Sequence, residues 1–550
     1  MAATAYSVVI IGAGPTGLSL AIELGHRGVN CLVVERNDRV GYAPRAKTTN
    51  IRTRTHMRRW GIADRLAAEA PHGVDYPSHV VFVTRLGGQL LARIENHSYC
   101  KPERNPDYPE HGQWIPQYKV EKVLREHVAE LPSVEIVFNT EFEGADQDDN
   151  GVSVRLRDTL SGEQRTIGCH YLVGADGGRS AVRTGIGASM EGRFGLSRNY
   201  NIVFRAPGLA EAHPHGPAAM YWQTHPDAPS LIGPMDSGDI WFFMPTRLPE
   251  NVRISDDEAV TLIQKATGID LPYEIMSSDE WVANALMATS FSDRRIFLAG
   301  DACHLHPPFG GHGMNMGVSD AVDLGWKLAA VLQGWGAPAL LESYEPERRQ
   351  VHQEVIAEAE SNHTVLSNDL WRDDLEDPGP AGEAARAEMG RHIIALKDKE
   401  FHALGTVLGR SYTHSPVITY GEGGARTPSS AQNYEPSSLP GCLAPHIWRS
   451  ASRSLYDQFG LGFALICRPE AGPDDIEACA AEARRMGCEL SIVHLTRDEA
   501  ADLYPARLTL VRPDQHVVWR GESWTSGVLD KALGWRAAQA PGLSGAKQAS

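Results

Sequence analysis

The stretch Tyr6-Ser-Val-Val-Ile-Ile-Gly12-Ala-Gly14-Pro-Thr-Gly17 decides the fold. Tyr6 to Gly12 reads as a buried strand, Pro15 to Arg27 as a helix and Asn30 to Glu35 as a second strand, so the glycines fall at the turn of a βαβ unit. Glycine permits the tight turn and close backbone approach. The helix start attracts pyrophosphate, and the Glu35 carboxylate can accept hydrogen bonds from ribose hydroxyls. These residues imply a dinucleotide and leave NAD and FAD equally open. A glycine turn without a ligand is disfavoured, because both the context and the acid fit.

At 550 residues the chain exceeds one compact core and implies two or three domains with a sizeable cofactor site. The 52 Lys and Arg against 69 Asp and Glu give a formal charge of -17, which opposes binding to nucleic acid or anionic lipid and favours small-molecule partners. Met1 to Leu24 is apolar but lacks a basic leader and is broken by Gly12, Gly14, Pro15 and Gly17, unlike a signal peptide. No apolar run reaches the roughly 18 to 20 residues a bilayer needs, so no membrane partner and a cytoplasmic location are expected. Cys31, Cys100, Cys169, Cys303, Cys442, Cys467, Cys479 and Cys488 are scattered without a CxxC pair. Reduced, packed thiols are expected, with no metal site.

Helical patterns lie at 53–61 and 119–131, and strand patterns at 134–138, 152–156 and 169–174. From Asn199 to Pro245, short aromatic-rich segments alternate, which points to an antiparallel, substrate-facing sheet. Arg295–Gly300 returns as a strand, Gly313–Trp335 is a long helix, and a helical region follows to Leu366. The expected class is α/β: a Rossmann-like domain interleaved with an antiparallel substrate sheet over 1–366, the sheet at about 80–115 and 190–285. Residues 367–440, acidic and then rich in Gly, Ser and Pro, read as a connector. The strand and helix order over 441–536 is thioredoxin-like without redox cysteines, and 537–550 reads as a tail.

Two further motifs carry chemistry. Tyr171-Leu-Val-Gly174-Ala-Asp176-Gly177-Gly178-Arg179-Ser180 ends an apolar strand in an acid, and alone it reads equally well as a junction capped by Asp176. Arg295-Ile-Phe-Leu-Ala-Gly300-Asp301-Ala-Cys-His304 delivers a second acid. Pro307-Pro308-Phe-Gly310-Gly311-His312-Gly313-Met314-Asn315 then strips side chains from a surface before a helix. In this order the three motifs resemble the class A flavoprotein aromatic hydroxylases, and the resemblance covers almost the whole chain. Pro445-His446-Ile-Trp448 and Leu510-Val-Arg512-Pro-Asp514-Gln-His516 resemble the extra domain of the phenol hydroxylase and 3-(3-hydroxyphenyl)propionate hydroxylase branch.

The resemblance implies one FAD site. Gly12, Gly14, Gly17, Glu35 and Arg36 would hold its ADP half, and Arg45 would contact the pyrophosphate and ribityl region. Gln117 matches a glutamine that precedes the family's following helix, and Asp176 would support both FAD and the pyridine nucleotide. Gly300, Asp301 and Pro308 would meet the ribityl chain. The backbone of Gly311, Gly313, Met314 and Asn315 would face the pyrimidine edge, with the helix start stabilising charge on reduced flavin. The implied reaction takes electrons from NADH or NADPH, then O2, through a flavin C4a-hydroperoxide that attacks a phenolic or related aromatic ring. A homodimer and a C-terminal domain without chemistry are also implied.

A phenol attacks better when a base takes its proton or a cation stabilises phenolate, a gain of about 100-fold or more. Phenol-hydroxylating relatives place His or Asp shortly before the Arg-Thr of the following helix; counting back from Arg52-Thr53, this chain has Lys47. As ammonium Lys47 would stabilise phenolate or anchor a carboxylate, and neutralised by burial it would take the proton. The plain alternative is a surface lysine paired to an acid. His304 and His312 are expected to brace the flavin loop, and Tyr221, Trp222, Trp241 and Phe243 to wall the substrate pocket, unless they are simply core. A Baeyer–Villiger or polyketide-tailoring oxygenase on the same fold, and a non-catalytic FAD-binding protein, stay open.

Overall fold

The computed structural model describes residues 4–38, 46–246, 253–363, 370–421, 424, 430–500 and 502–536. They form two compact units, one of Met1–Val322, His352–Gly409 and Pro428–Tyr434, the other of Asp323–Val351, Arg410–Thr427 and Glu435–Ser550.

The first unit holds two eight-stranded sheets. In one, Thr4–Ile11 lies between Gln164–Gly174 and Cys31–Val34, followed outward by Ile296–Leu298 on one side and Val134–Val137 on the other, all parallel. Val8, Val9, Ile10 and Ile11 are buried in succession because helices and sheet cover both faces of a central parallel strand. The helix Pro15–His26 begins directly after the glycine turn with proline in its first turn, where the missing N–H costs nothing.

The second sheet runs His304–Leu305, Glu274–Ala288, Met190–Arg205, Ile240–Pro245, Ser230–Asp236, Met220–Gln223, Val80–Val83, Leu90–Ile94. Alternation along the strands, interrupted by bulges such as that at Val203/Phe204, sorts side chains to two faces. One face packs Val81, Ile202, Phe204, Ile232 and Phe243 against the helix Asp256–Thr267. The other carries Val80, Phe82 and Trp222 under the helix Pro380–Phe401.

That last helix lies inside the stretch expected to be a connector. Ala385, Met389, Ile393, Lys397 and Phe401 recur every four residues and are all buried, but a lysine within an apolar stripe on an acidic background hid the period. In the second unit Phe463–Cys467 pairs parallel with Leu490–His494 around the helix Pro473–Met486, and antiparallel with Leu508–Val511, which pairs with Val517–Gly521. This is the thioredoxin-like order expected. The same unit also takes in residues 323–351, which the sequence reading had placed with the flavin domain.

At the centre of the second unit Arg512 is fully buried, 2.7 Å from Glu347, 3.0 Å from Asp323 and 2.5 Å from Asp514. Lys327 bridges Asp323 at 2.8 Å and Glu347 at 2.7 Å. Burial pushes the Asp323 carboxyl up to about 7. Burial also opposes ionisation of Glu347, yet Arg512 and Lys327 hold it down to about 2. All eight cysteines are buried and unbridged, and no described helix is long and apolar enough to cross a membrane.

Candidate flavin and substrate site

Ile11 lies opposite both Val34 and Gly174, and Gly174 opposite Leu298. The three motifs therefore leave neighbouring parallel strands at the same carboxyl edge, where open α/β sheets bind ligands. Backbone bonds lock the turns together: Gly12 N–H to Val34 O at 2.8 Å, Ala175 N–H to Ile11 O at 2.8 Å, Ala299 N–H to Gly174 O at 2.9 Å. Arg183 adds a tie by donating to Gly178 O and Ala302 O, each at 2.9 Å.

The glycines divide into two kinds. A Cβ on Gly12 would collide with the Ala175 carbonyl, and one on Gly17 with the Gly12 carbonyl, so these two serve the protein's own packing. On Gly14 and Gly313 a Cβ would meet nothing within 4 Å. Gly14 is also the N-cap of its helix, with no side-chain cap. Bare backbone facing open space at a helix start fits a pyrophosphate at Gly14 and a flavin edge at Gly313.

Glu35 is held beside this turn, accepting from Ala13 N–H at 2.9 Å and Asn37 N–H at 3.0 Å, while Arg36 is exposed. Arg45 lies outside the described residues. Gln117 exchanges bonds with Ala46, its Oε1 accepting at 3.3 Å and its N–H donating at 2.9 Å, which fixes the segment leading to Lys47. Asp176 accepts from Ser180 Oγ at 2.5 Å, Ala181 N–H at 2.8 Å and Val182 N–H at 3.2 Å, so it caps a helix. Asp301 and Pro308 are exposed beside Gly300, while Gly311 and Met314 are half-buried. His304 and His312 are buried, His304 with Nε2 at 2.7 Å from Asp320.

The side chain of Asn315 has a role that the sequence reading missed. It accepts from Asn50 N–H at 2.9 Å and donates to Thr48 O at 3.0 Å and Gly311 O at 2.8 Å. The flavin loop is thereby bolted to the residue after Lys47.

Lys47 projects over the substrate sheet, its Nζ 4.1 Å from the centroid of Phe242 and 3.9 Å from Met244 Sδ. Among the described residues it forms no ion pair, and burial pushes its ammonium down to about 8. The residue keeps partial solvent exposure. Phe242 and Met244 share this face with Val203, Met220, Leu231 and Met235. Trp222 pairs with Leu231, and Leu231 with Met244, so Trp222 lies on the same face. Tyr221, Trp241 and Phe243 turn the other way into the core. All four expected wall residues are buried in core clusters, Trp222 on the face toward Lys47 and the other three on the opposite face, because alternation gives two faces.

Fold and site together define an FAD-binding α/β protein with a separate substrate sheet. The FAD-binding-domain family model matches residues 5–359, and the model of the aromatic-ring hydroxylase C-terminal domain matches residues 437–539. Phenol 2-monooxygenase of Pseudomonas sp. (strain EST1001) is 31% identical over 94% of this chain and 90% of its own length. A putative polyketide hydroxylase of Streptomyces halstedii is 30% identical over 94% of this chain and 93% of its own. The rebeccamycin biosynthetic enzyme RebC, solved with reduced flavin, superposes with a TM-score of 0.88 at 32% identity, covering 96% of this chain and 99% of that one. The chain belongs to the class A FAD-dependent aromatic hydroxylases.

Proposed function

We propose that this FAD-dependent aromatic monooxygenase hydroxylates a phenolic compound at the expense of NADH or NADPH and O2, with Lys47 holding the substrate oxygen as phenolate. The observation that carries the reading is a lysine with no acid partner among the described residues, set over an apolar sheet face next to a residue bolted to the flavin loop. The names of relatives acting on phenols and polyketides agree with it. Bound FAD supplies the electron transfer and oxygen activation. Gly14 and Gly313 offer it bare backbone, and Asp301 stands exposed where the ribityl chain is expected.

The magnitudes favour an ion pair. Ionising a phenol of pKa about 10 at pH 7 costs about 4 kcal/mol at 1.36 kcal/mol per unit. A cation about 4 Å away at an effective dielectric near 20 returns about 4 kcal/mol. One ammonium therefore offsets the cost, and Phe242, Met244, Met235 and Val203 keep the surroundings apolar. At pH 7 a group titrating at about 8 is mostly charged, so Lys47 acts as the cation rather than the base.

The test is NAD(P)H oxidation by the FAD-loaded enzyme against phenols, aromatic acids and ketones, with product and H2O2 both counted. Phenols should stimulate wild type with little peroxide, and Lys47→Met should keep FAD but lose about 100-fold or more of the stimulated rate. Stimulation by ketones alone would replace this reading with Baeyer–Villiger oxidation, and an unimpaired K47M would remove Lys47 from it.

A further inference from the structure

Beneath the flavin loop, Asp320 on the helix His312–Leu332 is fully buried and collects three donors. Gly300 N–H reaches Oδ2 at 3.0 Å, His304 Nε2 the same oxygen at 2.7 Å, and His352 Nε2 reaches Oδ1 at 2.8 Å. The two imidazoles stack with centroids 3.6 Å apart, and His306 lies 4.7 Å from His304. Nitrogens of His304, His306 and His352 fall within 4.8 Å of one another, a ligand set for a transition metal by composition. Both Nε2 atoms are engaged by the Asp320 carboxylate, so the two stacked rings close around that acid.

The cluster is shaped to hold Gly300. That residue has φ 63°, and a Cβ there would sit 2.5 Å from Thr16 Oγ1, so the turn is both left-handed and tightly enclosed. Its N–H bond to Asp320 fixes the backbone from which Asp301 projects into solvent. His352 comes from the next helix, Tyr344–His363, and His304 from the short strand His304–Leu305, so the carboxylate is gripped from several elements at once. Hydrogen bonds to a charged, buried acceptor are the strong ones.

We propose that Asp320, clamped by His304 and His352, is a positioning residue that sets the Gly300–Asp301 turn for the ribityl chain of FAD. The proposal rests on the assignment of the flavin site above. The test removes FAD from the holoenzyme and retitrates it, following flavin fluorescence and visible circular dichroism, for wild type, Asp320→Asn, His352→Leu and His352→Gln. D320N and H352L should bind FAD about tenfold or more weakly and alter the circular dichroism of bound flavin. H352Q, which keeps an N–H for Asp320, should retain wild-type affinity, and FAD-free H352L and H352Q should melt together. If D320N does not fold, the His352 pair decides. Wild-type affinity in H352L, or equal loss in H352L and H352Q, overturns the proposal, whereas a wild type that binds no FAD overturns the flavin site itself.

Discussion

Replacing Lys47 by methionine should make the protein more stable while disabling the enzyme. Burial brings the lysine from 10.5 to about 8, roughly 2.5 units, or about 3 kcal/mol at 1.36 kcal/mol per unit. That figure is a ceiling, because the residue keeps some exposure to screening water. The folded protein holds this proton less tightly than the unfolded chain. The penalty is therefore complete below pH 8, fades between pH 8 and 10.5, and vanishes above. K47M should gain up to about 3 kcal/mol at pH 7, and the gain should shrink toward zero near pH 10.5. Urea unfolding of both proteins, FAD-saturated, at pH 7 and at about pH 10 measures it. A K47M less stable than wild type at pH 7, or a gain equal at both pH values, would refute the idea of a buried ammonium without a partner.

The same group predicts that kcat/KM for a phenol falls as pH rises through about 8, a limb missing from K47M. Gly14→Val should yield a protein that melts like FAD-free wild type but shows no flavin absorbance after purification, because its side chain meets open space in the protein and occupies the pyrophosphate position. Phe242→Ala and Trp241→Ala should each lower stability by about 3 to 5 kcal/mol, but once folded Phe242→Ala should raise KM for the aromatic substrate severalfold and Trp241→Ala leave it unchanged, as two adjacent residues on opposite faces require. Arg512→Leu, read by thermal melting, should cost about 3 to 5 kcal/mol by taking from Asp323, Glu347 and Asp514 the guanidinium they share, leaving Lys327 to the first two and His516 to the third.

What could be read from the chain was local. The run Val8 to Ile11, the glycines after it and the acid at Glu35 sit within one βαβ unit, so spacing alone pointed to a dinucleotide at this edge. Lys47 was legible only by its distance from Arg52-Thr53, and its neighbours Phe242 and Met244 lie some two hundred residues away, beyond the reach of any periodicity. The large aromatics Trp241 and Phe243 drew attention as pocket walls, yet bulk is what a core needs, and both pack into the core of the face away from Lys47. Asp320 carries no signal of its own in the sequence, because its partner His352 arrives from another helix. Residues 380–401 were lost because Lys397 interrupts their stripe; in the fold its ammonium lies 4.5 Å over Trp222 and 2.9 Å from Glu400.

The buried Arg512 cluster also has a bearing on how the chain is made. Arg512 lies 165 residues after Glu347 and 189 after Asp323. At about 5 to 20 residues per second, a ribosome exposes the two acids roughly 8 to 38 s before Arg512 emerges. During that interval Lys327 is, among the described residues, the one cation the two acids share, so burying the helices that bear them carries one unbalanced negative charge, and a chain that stops shortly before Arg512 keeps that cost.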